Sequence, residues 1–383
     1  MQKEKRYFYA PGRINIIGEH TDYNGGYVLP CAVNMGTTAA ISRRNDNIIS
    51  LASRNFDLSI EIAIDNIKFD PAHDWANYPK GIVKLIQEKG HNIGGFDMVF
   101  SGNLPHGAGL SSSASIEIAT AFALNAVFNL GMNKTELALL AQDCENSFIG
   151  VNCGIMDQFV IAMGEKNKAV FLKCDENLQY ELVPFDLEDC IIMIINTNKR
   201  RTLADSKYNQ RRGECNEAVE ILRKLSEEND IKNLSEIDEE TLIHKLNFFE
   251  NETAVKRAWH VVSENQRVLE AVEALKCRDL GWLGELMNSS YVSLRYNYEV
   301  TGKELDCIIE EAMKIFPGTP LGAKITGAGF GGCAIALLKK ADADNFKTVV
   351  GKKYKEIIGY APSFYVVETD DGVREIFDNI PVM

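Results

Sequence analysis

Short apolar stretches separated by turn residues fill the first part of the chain. Val, Ile, Tyr and Phe are frequent in these stretches, and Gly, Pro, Asn and Asp stand between them, which is typical of strands joined by tight turns. The predicted strands are Tyr7–Tyr9, Ile14–Ile17, Tyr27–Leu29, Gly36–Ser42, Ile48–Ala52 and Leu58–Ile64. We therefore expect a strand-rich N-terminal region.

Apolar residues at helical spacing appear next. They predict a helix near Asn77–Gln87, closed by a glycine, and a longer helix over Ser111–Asn129, with a strand at Phe96–Phe100 between them. Asn133 and Glu136 have the spacing of a capping box, which predicts the start of a third helix, one that carries Glu145.

The pattern changes beyond about residue 196. Strands at Ala169–Leu172 and Ile191–Ile195 give way to long amphipathic helices, predicted over 202–226, 239–247, 252–276 and 301–313, and then to strands at Cys333–Leu338 and Phe364–Glu368. A chain of 383 residues also exceeds what one hydrophobic core usually organises. We therefore predict two domains, residues 1–195 and 196–383, the second an α+β arrangement of helices on a small sheet.

Composition and charge exclude several classes of protein. The chain carries 41 Lys and Arg against 54 Asp and Glu, a formal charge of −13, which opposes binding to nucleic acid or to anionic lipid. The N-terminal segment has no apolar run of signal-peptide or membrane-span length. The nine cysteines are odd in number and never spaced as CxxC, which argues against zinc and favours free thiols in the cytoplasm.

A glycine- and serine-rich loop offers the clearest chemistry in the sequence. It lies between a predicted strand and the unpaired amides of a predicted helix start, where a phosphate group binds well. Glycine lets the backbone approach an anion, and serine hydroxyls supply hydrogen bonds or a ligand for Mg²⁺. The alternative is an ordinary helix start with serine caps. The candidate ATP-binding residues here are Gly107, Ala108, Gly109, Leu110, Ser111, Ser112 and Ser113.

Other nucleotide-binding signatures do not fit. The chain contains no GxxxxGK[ST] motif. Residues Gly327–Gly332 match GxGxxG formally, but they lead into the predicted strand Cys333–Leu338 instead of a helix, which argues against a dinucleotide site. We interpret this glycine turn as a second wall of the cleft that the serine loop lines.

Three motifs together resemble the GHMP sugar kinases, and within them the members that phosphorylate galactose. They are Ala10–Asn24 (APGRINIIGEHTDYN), the loop at Gly107, and Lys324–Gly332 (KITGAGFGG); the segments Cys153–Gln158 and Trp75–Tyr78 also match. The resemblance implies a two-domain α+β fold, with an N-terminal domain like ribosomal protein S5, a ferredoxin-like C-terminal domain, and the active site in the cleft between them. It also implies ATP and galactose as substrates.

The catalytic candidates follow from phosphoryl transfer, which needs alignment and charge stabilisation more than covalent chemistry. A guanidinium at Arg13 can stabilise the transferring phosphate, although a structural salt bridge is the alternative. By resemblance Asp157 is the catalytic base, and a buried structural carboxylate is its alternative. By resemblance Ser113 and Glu145 are the candidate Mg²⁺ ligands, and one hydroxyl and one carboxylate suffice beside ATP oxygens. A surface carboxylate is the alternative for Glu145.

Sugar recognition is predicted at the first motif, where acceptor and donor groups cluster as a neutral polyol requires. By resemblance the sugar is held by Glu19, His20, Thr21, Asp22, Gly154, Asp157 and Tyr208. A metal site or a polar turn is the alternative for the first cluster. Ser53 and Trp75 match positions near adenine in similar kinases, although a lone Trp is often a core residue.

Two rival functions remain at this point. The first is phosphorylation of N-acetylgalactosamine, which Thr21, Asn24 and Cys153 disfavour by resemblance. The second is a non-catalytic sugar sensor, which lacks a Ser-Ala pair that is present here as Ser113-Ala114. We expect an active enzyme that is a monomer or a weak oligomer.

Overall fold

The computed structural model describes residues 4–105, 109–199, 204–225, 231–315 and 322–377. Gly107 and Ala108 therefore lie outside the described residues. The N-terminal elements are β1 (Arg6–Asn15), β2 (Tyr27–Val28), β3 (Pro30–Arg43), β4 (Ile48–Ser53), β5 (Ser59–Ala63), α1 (Asn77–Glu88), β6 (Phe96–Gly102), α2 (Ser112–Phe128), α3 (Lys134–Asp143), α4 (Met156–Met163), β7 (Lys168–Lys173) and β8 (Tyr180–Pro184).

The C-terminal elements are mostly helices, as the sequence predicted. They are β9 (Cys190–Asn196), α5 (Ala204–Leu225), α6 (Glu239–Lys245), α7 (Glu252–Lys276), α8 (Leu280–Tyr296), α9 (Lys303–Ile315), β10 (Gly322–Thr326), β11 (Cys333–Lys339), α10 (Ala343–Ile358), β12 (Ser363–Val367) and β13 (Arg374–Ile376).

The described strands form a six-stranded, a four-stranded and a three-stranded sheet. The first has the order β13-β1-β3-β6-β4-β5, in which only β4 and β6 run parallel. Helix α2 packs on β1 and β3, and it forms one apolar core with α1, α3 and α4. The four-stranded sheet, β10-β11-β9-β12, is antiparallel and carries the C-terminal helices over a second core.

A third apolar cluster joins the two halves of the chain. It combines Ile14, Ile16 and Leu110 from the N-terminal half with Val268 and Met287 from the helices of the C-terminal half. Because such burial is worth about 25 cal/mol per Å² of apolar surface, this cluster holds the two halves together beneath the first motif.

The chain crosses between the two halves near the predicted boundary and again near its C-terminal end. All of strand β9 except Asn196 lies before the predicted boundary, but the strand pairs with β11 and β12 in the C-terminal sheet. Strand β13 returns to pair with β1. The exact division at residues 195 and 196 stays a prediction. Within the described ranges, no helix has the length and apolar character needed to cross a bilayer.

Candidate active site

Arg13 reaches the site because β1 is irregular just before it. The register of β1 against β3 shifts between Pro11 and Gly12. A Cβ atom on Gly12 would lie 2.9 Å from the carbonyl oxygen of Leu110, so only glycine allows the strand to pass this close to the serine loop. The backbone N–H of Arg13 then donates to that same oxygen at 3.4 Å. The first and second motifs are therefore in direct backbone contact.

The side chain of Arg13 binds Asp157 through two hydrogen bonds. Its Nε and Nη2 atoms donate to Oδ1 and Oδ2 of Asp157, each at 2.7 Å, and Nη1 donates to the carbonyl oxygen of Gly109 at 2.8 Å. Ser111, which adopts a left-handed backbone conformation with φ 59°, donates its hydroxyl to Oδ2 of Asp157. Asp157 lies in the first turn of α4, where the helix dipole favours a negative charge.

Ser113 and Glu145 face each other beside this pair. Glu145 was predicted on a helix, and it lies on the π-helical turn Cys144–Ile149 that follows α3. Burial raises the pKa of Glu145, the nearby charge of Asp157 adds to the rise, and hydrogen bonding with Ser113 opposes it. The described residues contain no cluster of three or more His, Cys, Asp or Glu side chains that would hold a metal by themselves.

All of the predicted sugar-binding residues except Thr21 line one cleft, together with Arg13. Its walls include Arg13, Glu19, His20, Asp22, Glu145, Gly154, Asp157 and Tyr208. A Cβ atom on Gly154 would lie 2.0 Å from Oδ2 of Asp22, so the glycine is required for this approach. The Tyr208 ring packs 5.5 Å from the His20 ring and 5.3 Å from the Tyr23 ring. This arrangement places Tyr208 on the cleft wall.

Burial governs the charges of these side chains. It raises the pKa of Glu19 to about 7, and the charge of Lys324 opposes this rise. It also raises the pKa of Asp22 to about 6, with a further contribution from the negative charge of Asp157. Burial lowers the pKa of His20 to about 3, so its ring is neutral near pH 7. The cleft thus combines two carboxylates with a neutral imidazole.

Thr21 occupies a different position from its neighbours. Its side chain is fully buried, and its hydroxyl lies 2.9 Å from the carbonyl oxygen of Gly18 and 2.7 Å from that of Tyr27. The hydroxyl therefore holds the turn of the first motif and does not line the cleft. Its predicted contact with the sugar stays a prediction.

The third motif also lines the first cleft, whereas it was predicted as a wall of the cleft that the serine loop lines; Ser112 and Ser113 line the second cleft. Gly327 and Ala328 are part of the cleft wall. Gly327 has φ +82°, and a Cβ atom on it would lie 3.0 Å from the carbonyl oxygen of Gly109 and 3.4 Å from Nη2 of Arg13. The three motifs therefore meet around the Arg13 guanidinium.

A second cleft lies next to the first. Its walls include Ser53, Phe56, Trp75, Phe100, Ser112 and Ser113. The Trp75 and Phe56 rings stack at 6.5 Å, and within the described part of the chain the Trp75 indole N–H has no hydrogen-bond acceptor. Ser113 lines this cleft and forms a hydrogen bond with Glu145 of the first, so the two clefts adjoin near the start of α2.

Sequence reasoning missed the charged partner of Glu19. Lys324 Nζ donates to Oε2 of Glu19, and both side chains are buried. Lys324 stands at the start of the third motif, but nothing in its local pattern distinguishes it from a surface lysine. The buried rings of His260 and Tyr298, which pack against the first motif, were also missed for the same reason.

Comparison with known proteins identifies the family of the chain. Family models match residues 1–43 (galactokinase galactose-binding signature), 77–165 (GHMP kinases N-terminal domain) and 269–356 (GHMP kinases C-terminal). The galactokinases of Clostridium tetani and Streptococcus thermophilus are each 48% identical to this chain. These alignments cover 97% and 96% of this chain, and 93% and 94% of the two relatives.

The solved structures give the same result. The crystal structure of Lactococcus lactis galactokinase complexed with galactose superposes with a TM-score of 0.93 at 44% identity, covering 98% of this chain and 96% of that one. A mevalonate kinase structure superposes with a TM-score of 0.65 at 20% identity, which supports the fold alone. With its two-domain GHMP kinase fold, the chain belongs to the galactokinase family.

Proposed function

We propose that the chain transfers the γ-phosphoryl group of ATP to the C1 hydroxyl of galactose and releases ADP and galactose 1-phosphate. The observation that carries this proposal is the Arg13–Asp157 pair, which lines the first cleft together with Glu145, the residue whose hydrogen bond with Ser113 links this cleft to the second. One cleft has the carboxylates and imidazole that suit a polyol, and the other has the aromatic walls that suit a base.

Asp157 acts on the attacking hydroxyl. The sugar oxygen bonds to the γ-phosphorus, the bond to the β,γ-bridging oxygen breaks, and the hydroxyl proton passes to the Asp157 carboxylate. Both carboxylate oxygens already accept hydrogen bonds from a cation. We therefore place the proton transfer late, as the new bond forms, with Asp157 orienting the hydroxyl before that, which suits a loose transition state.

Arg13 stabilises the charge that builds on the phosphoryl oxygens. A guanidinium stays protonated in a buried site, and this one is nearly inaccessible to solvent. Its contacts with Gly109 and Asp157 fix its plane before the substrates arrive, so it needs no reorganisation at the moment of transfer.

Ser113 and Glu145 are the residues that would hold Mg²⁺. The ion prefers hard oxygen ligands in an octahedron and keeps several waters, so one hydroxyl and one carboxylate beside ATP oxygens fit it. Glu145 is almost fully buried, and its interaction with Ser113 brings the two oxygen donors together. When bound, the ion supplies charge neutralisation for the triphosphate.

ATP is proposed to run from the second cleft into the first. Trp75 and Phe56 would contact the base, with Ser53 on the same wall. The serines at the start of α2 would contact the phosphates, since the first turn of a helix presents unpaired N–H groups. Galactose would bind between Glu19, His20, Asp22, Gly154 and Tyr208.

We also propose that the protein is located in the cytoplasm. All nine cysteines are free thiols, which suits the reducing cytoplasm. We also propose a monomer or a weak oligomer.

Phosphorus-31 NMR of the reaction product tests the proposal. With ATP, Mg²⁺ and galactose, we expect ADP and a sugar phosphate whose phosphorus couples to the anomeric proton. A product phosphorylated at another carbon, or ATP hydrolysis that does not depend on the sugar, would overturn it.

A further inference from the structure

A buried ion pair connects the C-terminal sheet to the wall of the sugar cleft. Lys324 lies on β10 and is fully inaccessible to solvent, as is nearly all of Glu19. The Lys324 ammonium donates to Oε2 of Glu19 and, at 2.8 Å, to the carbonyl oxygen of Ile325. Within the described ranges, Lys324 is the only cation that forms an ion pair with Glu19.

The neighbouring charged groups are already paired with one another. Glu264, which adds to the negative potential at Glu19, accepts hydrogen bonds from Arg267 at 2.7 Å and from Ser290 at 2.6 Å. The Arg13 guanidinium is bound to Asp157. Burying a carboxylate without a paired cation costs several kcal/mol, so Lys324 is the group that offsets the burial of Glu19.

Only one oxygen of Glu19 is used by this pair. Among the residues that the structure describes, Oε1 of Glu19 has no hydrogen-bond partner, although Glu19 lines the sugar cleft. An unpaired buried acceptor carries a free-energy cost that a hydroxyl donor removes. Glu19 therefore presents one acceptor atom with a fixed direction.

We propose that Lys324 is a positioning residue for sugar specificity: its ion pair favours the ionised form of Glu19 and orients the carboxylate, so that Oε1 accepts a hydrogen bond from one hydroxyl of the sugar. The inference rests on the proposed function, because it concerns the same cleft. A site built to accept a hydroxyl discriminates strongly against the deoxy sugar that lacks it, since the acceptor is then left unpaired.

The test compares Lys324→Met with the wild type over galactose and its monodeoxy derivatives. We expect the KM for galactose to rise at least about 10-fold, while the KM for ATP stays within about two-fold. Glu19→Gln identifies the hydroxyl that Glu19 binds, because this variant should discriminate less than the wild type against the deoxy sugar that lacks that hydroxyl. Lys324→Met is expected to discriminate less against the same deoxy sugar. Lys340→Met, a change at an exposed lysine, is the matched control.

A KM for galactose within two-fold of wild type, with rejection of that deoxy sugar intact, would overturn the inference. A double variant covers the case in which Lys324→Met does not fold. Glu19→Gln with Lys324→Met replaces the buried pair by neutral groups, which proteins often tolerate. If Lys324 acts through Glu19, this double variant and Glu19→Gln alone have galactose KM values within about three-fold. A further 10-fold rise in the double variant would show an independent, structural role.

Different experimental results would contradict the proposed function and this inference. If the wild type phosphorylates another hexose and not galactose, the proposed function fails, and the same variants are compared on the sugar that it does phosphorylate.

Discussion

The guanidinium of Arg13 binds both carboxylate oxygens of Asp157 at 2.7 Å and, through its third nitrogen, the carbonyl oxygen of Gly109 at 2.8 Å. The end of β1, the serine loop and the first turn of α4 are thereby fixed to one another. The same guanidinium lies close to Gly327 of the third motif. All three motifs thus contribute residues to the immediate surroundings of the Arg13 guanidinium.

The substitution Asp157→Asn tests the centre of this arrangement. The amide would keep the size of the side chain but would lack the charge that pairs with Arg13 and that we propose receives the hydroxyl proton. We expect kcat to fall by a factor of about 10³, while the Kd for ATP changes by less than about three-fold. Stopped-assay turnover and calorimetric ATP binding measure the two quantities. Asp65→Asn, on the exposed surface, is the matched control. A variant that retains near wild-type turnover would remove Asp157 from the reaction.

Much of the local structure could be predicted from the sequence. The predicted capping box is present: the N–H of Asn133 donates to Glu136 at 2.7 Å, and the N–H of Glu136 donates to Asn133 at 3.0 Å. The helix predicted over 252–276 has those bounds. These features depend on residues a few positions apart, so their pattern is visible in one stretch of sequence.

The long-range contacts could not be predicted in this way. Separate strands were predicted at Tyr7–Tyr9 and Ile14–Ile17, but the structure carries β1 through the residues between them with a register shift. The pairing of β13 with β1, and the ion pair between Glu19 and Lys324, join residues more than 300 positions apart. Neither contact produces a periodic pattern of residues in a local stretch of the sequence. The helices α8 and α10 were also not predicted.

Replacing Asp22 by Asn is expected to stabilise the protein while weakening sugar binding. Burial and the charge of Asp157 raise the pKa of Asp22 to about 6, above its unfolded value, so its ionisation opposes folding as the pH rises through this range. At pH 8 we expect the free energy of unfolding of Asp22→Asn to exceed that of wild type by on the order of 1 kcal/mol, with a smaller gain at pH 5. Urea unfolding at both pH values measures this. A lower stability of the variant at pH 8 would contradict the account.

Gly154→Ala tests how closely α4 and the first motif approach each other. The added methyl would lie 2.0 Å from Oδ2 of Asp22 and would force that carboxylate to move. We expect the KM for galactose to rise about 10-fold or more, with the KM for ATP within about two-fold. Gly213→Ala on α5 is the control, because its Cβ would meet no atom within 4 Å. Equal effects of the two variants on the galactose KM would count against the proposed sugar site.

The pH dependence of sugar capture tests the charge of Glu19. Its pKa of about 7 in the free protein means that the carboxylate is mostly ionised at pH 8 and mostly protonated at pH 6. If the ionised form accepts the sugar hydroxyl, kcat/KM for galactose at saturating ATP and Mg²⁺ falls about 10-fold from pH 8 to pH 6. Glu19→Gln is expected to lose this acid limb. A wild-type profile that is flat over this range would contradict the role of Glu19.

The most direct test of the central claim is a coupled ADP assay of the wild-type protein over galactose, glucose, mannose and N-acetylgalactosamine. The cleft that joins Glu19, Asp22 and Tyr208 to the Arg13–Asp157 pair predicts a kcat/KM for galactose at least about 100-fold above that for each other sugar. Turnover of N-acetylgalactosamine or glucose at a similar or higher kcat/KM, or no turnover of galactose at all, would contradict the account.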